Sequence, residues 1–367
     1  MKPILITGGA GFIGTNLADR FLRTGQPVIV LDNLSREGVE HNLRYLCSQY
    51  PGLVRVEAAD IRDRAVVRRV MPQVSGVYHF AAQTAVTTSM ISPENDFEIN
   101  ARGTLELLEA ARACDEPPFF LYTSTNKVYG GLWDVALGKI EDRYEPDDAS
   151  LRARGISEQR PLDFHTPYGC SKGTADQYVL DYARAFGLPA TVFRMSCIYG
   201  PHQCGTEDQG WVAHFALRAL AEEPISVYGD GCQVRDLLFV EDLVEAMVLA
   251  RENIAHVRGQ AYNVGGGVAN SASVIEVVRK IEQLHGSVAV HFGDWRPSDQ
   301  RYYVSDTSKL QAAIGWSPRV NVANGIERMY QWLAREHKKR SQRARQRADA
   351  LELGRQGDER VESPAAR

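Results

Sequence analysis

The sequence has few cysteines, no long apolar run and no marked excess of either charge. Six cysteines stand among 367 residues (Cys47, Cys114, Cys170, Cys197, Cys204, Cys232), none in a C-x-x-C pair. This excludes a disulfide framework or zinc ribbon and predicts buried thiols. No stretch approaches the roughly 20 apolar residues that span a bilayer. The opening Met1-Lys-Pro-Ile-Leu-Ile-Thr7 runs into a glycine-rich turn and reads as a first strand, not as a secretory leader. A cytoplasmic protein without a membrane segment is the expectation. Lys+Arg 42 against Asp+Glu 46 leaves a formal charge of -4, which gives no general attraction to nucleic acid. With 44% hydrophobic and 24% charged residues, the chain is neither disordered nor collagenous, and it is long enough for one large α/β domain or two lobes. The charge is uneven: ten basic and six acidic residues from Arg335 onward place +4 in the last 33 residues and leave -8 before them.

Apolar strand-like runs alternate with helical stretches through the first half. Strands are predicted at Ile4–Thr7, Val28–Leu31, Val54–Glu57, Gly76–Phe80, Phe119–Tyr122 and Ala190–Arg194, and helices around Phe12–Thr24, Arg62–Met71, Phe97–Ala113 and Gly173–Phe186. Solid apolar strands separated by helices imply a parallel sheet covered on both faces, hence a doubly wound α/β fold with its ligands at the carboxyl ends of the strands. After about Gly200 the loops lengthen, with helices expected near Trp211–Ala221, Glu241–Glu252, Ser273–His285 and Ala323–Glu336. That predicts a smaller C-terminal lobe over the strand ends. The division expected is a dinucleotide-binding domain over 1–200 with later segments contributing, a substrate lobe mainly over 201–335, and a basic tail over 336–367 that is a helical extension or disordered.

Thr7-Gly8-Gly9-Ala10-Gly11-Phe12-Ile13-Gly14 follows the first strand and opens a helix. Gly8 permits the tight turn, Gly11 lets the backbone approach a pyrophosphate, and Gly14 lets the helix pack on the sheet. The helix N-terminus offers free N–H groups to the phosphates. Asp32, at the end of the second strand, suits the ribose hydroxyls and repels a 2′-phosphate, which favours NAD over NADP. Arg36 is the feature on the side of NADP. Asp60-Ile61 would flank the adenine, the alternative for Asp60 being an N-cap of the next helix. His79-Phe80-Ala81-Ala82-Gln83 follows the fourth strand; its small residues admit the cofactor, and Gln83 either faces a second ligand or, like Phe80 and Ala81, packs at the strand end.

Tyr168-Gly-Cys-Ser-Lys172 stands at the start of a predicted helix, so Tyr168 and Lys172, four apart, share a face. A tyrosine with a pKa of about 10 is no base at neutral pH, but a lysine ammonium and a positive nicotinamide beside it favour the phenolate. Thr123-Ser124-Thr125-Asn126-Lys127-Val128-Tyr129-Gly130 comes directly after the fifth strand and supplies a hydroxyl to hold the oxygen that Tyr168 deprotonates. In order and spacing, the glycine turn, Asp32, Asp60, the Thr-Ser-Thr block and Tyr168/Lys172 resemble an extended short-chain dehydrogenase/reductase of the nucleotide-sugar-modifying type, with a Rossmann fold, over roughly residues 1–335. Thr125-Asn-Lys-Val-Tyr-Gly130, the run from Asp163 to Lys172, Asp208-Gln-Gly-Trp-Val212, Gln233-Val-Arg-Asp236 and Ser298-Asp-Gln-Arg301 resemble the CDP-paratose 2-epimerase (tyvelose epimerase) branch.

The resemblance implies that Thr125, Tyr168 and Lys172 are catalytic, with Ser124 in support. It implies NAD bound by Gly8, Gly11, Phe12, Ile13, Gly14, Asp32, Asn33, Asp60, Ile61, Phe80, Ala81 and Ala82 beside Tyr168 and Lys172. The sugar nucleotide would lie on Gln83, Thr125 and Asn126, with Arg235 and Arg296 on its diphosphate. An ion pair with a neighbour such as Asp236 or Asp299 is the alternative for either arginine. Related dehydratases carry an acidic pair directly after the catalytic Thr, where this chain has Asn126 and Lys127, so dehydration is disfavoured. The expected reaction is inversion at C2 of a CDP-linked sugar by transient oxidation and hydride return. The rivals are a UDP- or GDP-sugar 4-epimerase and a non-catalytic NAD-sensing or scaffold protein; the intact Thr125/Tyr168/Lys172 set argues against the latter. No metal is expected, since His165 and His202 lack partners at ligand spacing. The same resemblance implies a homo-oligomer paired through the helices bearing Tyr168 and Phe97–Ala113. Lys338, Lys339 and Arg340 with Arg343, Arg345 and Arg347 read as a solvated helical extension, not a nucleic-acid site, because no aromatic residue interleaves.

Overall fold

The computed structural model describes residues 1–296 and 299–359. Ser298 of the motif ending at Arg301 lies outside the described residues, as do Arg360 onward and the side chains of Arg340, Arg343, Arg345 and Arg347.

Seven parallel strands form the central sheet, in the spatial order Ala261–Val264, Ala190–Met195, Phe119–Thr125, Gly76–His79, Ile4–Thr7, Val28–Asp32, Val54–Ala58. Ile4, Ile6, Val28 and Val30 enter the core on one face, and Leu5, Ile29, Leu31 and Val77 on the other, as the alternation of a pleated strand requires. Unbroken apolar strands are stable here because helices Phe12–Leu22 and Val240–Glu252 cover the first face while Gly103–Arg112 and Thr166–Ala185 cover the second. Strand order reverses between Ile4–Thr7 and Gly76–His79, the place where a doubly wound sheet opens a ligand crevice. The outermost strand Ala261–Val264 and the helix Val240–Glu252 come from beyond residue 200, so the chain leaves this lobe and returns to it.

The second lobe is built on Val234–Phe239, which pairs in parallel with Cys197–Tyr199 and Tyr302–Tyr303 and antiparallel with Ser271–Ser273. Ile225–Tyr228 pairs in parallel with Val290–Gly293. Helices Trp211–Leu220, Val274–His285 and Val322–Glu359 close its core through Phe215, Ile281, Ile326, Met329 and Leu333, among others. Ser273 and Glu276 form a reciprocal capping box that fixes the start of the second of these helices. The last helix carries its buried residues at three- and four-residue spacing up to Leu333, and its backbone continues as helix through the basic tail to Glu359.

Four local features differ from the sequence expectation. The helix expected over Gly173–Phe186 begins at Thr166, so that Tyr168 stands in its first turn as expected, and Pro167 occupies that turn, where no backbone N–H is needed. The expected helix over Phe97–Ala113 is interrupted: Pro93–Phe97 is followed by a π-type turn at Glu98–Arg102 and only then by Gly103–Arg112. A helix at Val39–Gln49 was not anticipated. Of the six thiols only Cys232 is buried, while Cys47, Cys170 and Cys204 are exposed, because they fall on loops or outward helix faces. Among the described residues no helix is long and apolar enough to cross a membrane.

At the strand reversal His79 is enclosed by Thr7 Oγ1, 2.7 Å from Nδ1, and Thr104 Oγ1, 2.9 Å from Nε2. Burial, aided by the Lys172 charge, holds its imidazole down to about 3, against an ordinary 6.5. The unfolded chain therefore takes up this proton at a higher pH than the folded one. Stability is full above 6.5 and falls as pH drops through that interval toward about 3. The urea midpoint of the wild type is expected to decline across this window more steeply than that of His79→Asn; parallel slopes would refute the assignment.

Candidate active site

A cavity of about 570 Å³ opens at the carboxyl ends of the central strands, with Gly11, Phe12 and Ile13 of the glycine turn on its wall. Gly8 has φ +64°, and a Cβ there would meet Ala81 N at 2.7 Å; at Gly14 a Cβ would meet Gly8 O at 2.5 Å. A side chain at either position would force the turn off the strand ends. Asp32 Oδ2 accepts from Ala10 N at 3.1 Å and Oδ1 from Leu34 N at 2.9 Å. Burial raises its pKa, and these two amides oppose that.

Asn33 donates to Asp60 Oδ2 at 3.1 Å, and Arg62 clamps the same carboxylate at 2.8 and 2.9 Å, bringing it down to about 2. The helix that follows is capped by Asp63, so Asp60 is not the N-cap and remains on the cavity wall with Ile61. Phe80, Ala81 and Ala82 line the same space. Arg36 reaches across to donate to Thr84 Oγ1 and Gln209 Oε1, linking the two lobes. Ser124 Oγ is buried on this wall and has no hydrogen-bond partner among the described residues. The glycine cradle, the Asp32 carboxylate and this unpartnered hydroxyl fit a dinucleotide laid along the strand ends.

Thr125 ends its strand and caps the next turn, accepting from Lys127 N at 3.2 Å. Tyr168 lies in the first turn of its helix, just after Thr166 at φ +63°, a strained conformation for a β-branched residue. Lys172, one turn on, donates to Thr123 O at 2.5 Å and stands 4.2 Å above the Tyr122 ring. Burial lowers the Lys172 ammonium to about 7 against the pull of Asp176 and Asp96. Burial pushes the Tyr168 phenol up to about 12, opposed by a hydrogen bond with Thr125 and the charge of Arg36.

Gln83 is turned away from its expected role. Its amide donates to Ala85 O at 2.8 Å and Asp96 Oδ1 at 3.0 Å, and it lines the first cavity only. Asn100 ties this group to the helix bearing Tyr168, accepting from Gln83 N at 2.9 Å and donating to Ser171 Oγ at 3.0 Å.

A second cavity, of about 350 Å³, lies between the lobes, and Thr125, Asn126 and Tyr168 belong to the walls of both. Asn126 donates to Gln300 Oε1 at 3.0 Å, and Lys127 Nζ lies 3.6 Å from Asp299. Arg235 reaches this cavity held by Asp299 at 2.7 Å; Arg296 reaches it held by Glu207 and Asp208 at 3.6 and 3.4 Å and lies 4.1 Å above the Tyr228 ring. The carboxylates lining this space, Glu207, Asp208 and Asp299, are thus each paired with a cation. His165 bonds Asp163 at 2.8 Å, and His202 packs between Tyr45 and Trp332, away from both cavities.

Sequence reasoning missed Asp176, whose carboxylate grips Arg194 by two bonds of 2.9 and 3.0 Å behind Lys172. Its position four residues after Lys172, on the same helix face, was the available signal. It also assigned no role to Gln209 or Gln233.

The model of the NAD dependent epimerase/dehydratase family matches residues 4–265 of this chain. The CDP-paratose 2-epimerase of Salmonella typhi is 44% identical over 338 residues, covering 90% of this chain and 98% of that one. The dTDP-glucose 4,6-dehydratase of Neisseria meningitidis serogroup B is 33% identical over 364 residues, covering 90% of this chain and 93% of that one. Among solved structures, the UDP-glucuronic acid 4-epimerase from Bacillus cereus in complex with UDP-glucuronic acid and NAD has a TM-score of 0.78 and 25% identity, over 91% of this chain and 99% of that one.

Proposed function

The chain belongs to the NAD dependent epimerase/dehydratase family, and from that premise we propose that it inverts C2 of a CDP-linked sugar of the CDP-paratose type. The observation that carries this reading is the junction of the two cavities. Thr125 and Tyr168 stand on both walls, and the two positions after Thr125 hold an amide and an ammonium bonded to Gln300 and Asp299. Elimination of water needs a carboxylic acid and a carboxylate beside the reacting carbon, and the acids of this cavity are spent on Arg235, Arg296 and Lys127.

NAD supplies the two-electron acceptor that takes hydrogen from a sugar carbon and gives it back. Tyr168 accepts the proton of the adjacent hydroxyl, Thr125 holds that oxygen, and Lys172 holds the nicotinamide ribose and biases Tyr168 toward the phenolate. Ser124 gives its free hydroxyl to the same region. Arg235 and Arg296 fix the diphosphate, so the nucleotide stays in place while the sugar presents its other face. Two copies pair through the helices carrying Tyr168 and Phe97, a reading supported by the exposure of Phe97, Tyr178 and Phe186 on them.

The test is to incubate the NAD-loaded protein with CDP-, UDP- and GDP-linked sugars and assign the product stereocentre by NMR. Inversion at C2 of the CDP-linked sugar is expected. Inversion only at C4, or loss of water from the sugar, would overturn the assignment.

A further inference from the structure

Gln233 stands on the wall of the second cavity with 5% of its surface exposed. Its Nε2 donates to Tyr228 O at 2.7 Å, which fixes the orientation of the amide, and Oε1 on the other side has no hydrogen-bond partner among the described residues. A buried acceptor left without a donor costs free energy, and a site built around one selects a ligand that supplies the donor.

The position along the cavity says which part of the ligand that is. From the reacting centre at Thr125, contacts step outward through Lys127 to Asp299 at 3.6 Å and on to Arg235 at 2.7 Å. Gln233 is two residues before Arg235, and its carbonyl continues the same ladder by accepting from Val274 N at 3.3 Å. Residues two apart in extended backbone project to one side, about 7 Å from each other. With the diphosphate on Arg235, that step spans the ribose, and the acceptor meets the edge of the base. Tyr228, Phe215 and Val274 line the same cavity.

We propose that Gln233 Oε1 reads the nucleobase by accepting a hydrogen bond from the 4-amino group of cytosine, and so makes this a cytidine-diphosphate site; the inference rests on the nucleotide-sugar reading above. A uracil or thymine base places a carbonyl oxygen at that position, so two acceptors oppose each other and both go unpaired. Gln233 is thereby a specificity-determining residue that leaves the reacting atoms untouched.

The experiment is calorimetric titration of the NAD-loaded protein with CDP, UDP and the diphosphate of the pyrimidin-2-one ribonucleoside, which lacks only the 4-amino group. Wild type is expected to bind CDP about tenfold or more tightly than either of the others. In Gln233→Met, CDP affinity is expected to fall to the level of the other two, with cofactor retention unchanged. Equal wild-type affinity for CDP and the pyrimidin-2-one compound overturns the role of Gln233 whether or not the variant folds. Binding of UDP as tight as CDP overturns it while leaving the nucleotide-sugar reading in place. Failure to bind any of the three diphosphates overturns both.

Discussion

Replacing Tyr168 by Phe is expected to lower kcat by about 10³-fold while leaving cofactor retention and CDP affinity within about twofold, since general acid–base groups contribute about 10²–10⁴. The substitution removes one oxygen. The ring, buried at the junction of the two cavities, keeps its packing. In the proposed mechanism, what is lost is the group that accepts the hydroxyl proton as the sugar carbon is oxidised and returns it as the carbon is reduced. The phenol is costly to ionise in this setting, because burial pushes it up to about 12 and only Thr125 and Arg36 pull it down. Turnover in the wild type is therefore expected to rise with pH on the acid side, as the phenolate fraction grows. Tyr168→Phe should lose that slope together with the rate. Thr125→Val removes the hydrogen bond that lowers the phenol and is expected to cost less, about 10²-fold, with the rise in rate displaced to higher pH. Wild-type turnover in Tyr168→Phe with NAD still bound would remove Tyr168 from the chemistry.

The parts of this structure that are local in sequence were legible there. Ile4–Thr7 and its parallel neighbours were readable because a strand buried on both faces must be apolar at every position, and the glycine turn because its steric needs fall within eight residues. That Tyr168 opens a helix was legible too, but the helical pattern stood out only from Gly173, since Gly169 and Gly173 weaken it. The structure gives the reason for one of them: a Cβ at Gly173 would lie 2.3 Å from the Phe164 ring. The helix Val39–Gln49 escaped notice because only Val39, Asn42 and Leu46 of it are buried, too few to stand out as a stripe. In the candidate site, Thr125, Tyr168 and Lys172 were singled out by spacing and the family resemblance together, and the fold brings them to one cavity. The pairs that hold the lobes and set side-chain direction were not: Arg36 with Gln209, Lys127 with Asp299, and Gln83 with Asp96. Whether a polar side chain faces a ligand or a neighbour depends on which distant segment the fold brings beside it. Gln83 shows this: Asp96, on the helix Pro93–Phe97, takes its amide.

Removal of the Asp176 carboxylate is expected to be the most damaging single change to the fold. Asp176 is wholly buried, and Arg194 is 5% exposed. The guanidinium makes two parallel bonds to the carboxylate and a third, of 3.1 Å, to Tyr129 OH, which donates to Asn263 Oδ1 at 2.8 Å. The group joins the helix bearing Tyr168 to the strands Ala190–Met195 and Ala261–Val264. Burial disfavours the Arg194 charge, but bonding to Asp176 outweighs it and raises the pKa further, so the arginine cannot escape by losing its proton. Asp176→Ala would leave that cation unpaired, at a cost of about 3–5 kcal/mol. Asp176→Leu with Arg194→Met removes both charges and is expected to recover most of that loss, because the desolvation cost of the pair disappears with it. Catalysis responds separately. Asp176 is also the foremost influence holding up the Lys172 pKa against burial, so in the double variant the ammonium should be lost at a pH lower than about 7, with the corresponding limb of the pH–rate profile displaced in the same direction. Urea midpoints for the wild type, Asp176→Ala and the double variant, read beside their pH–rate profiles, separate the two roles. A single variant as stable as the wild type would dismiss the structural one, and an undisplaced profile in the refolded double variant would dismiss the electrostatic one.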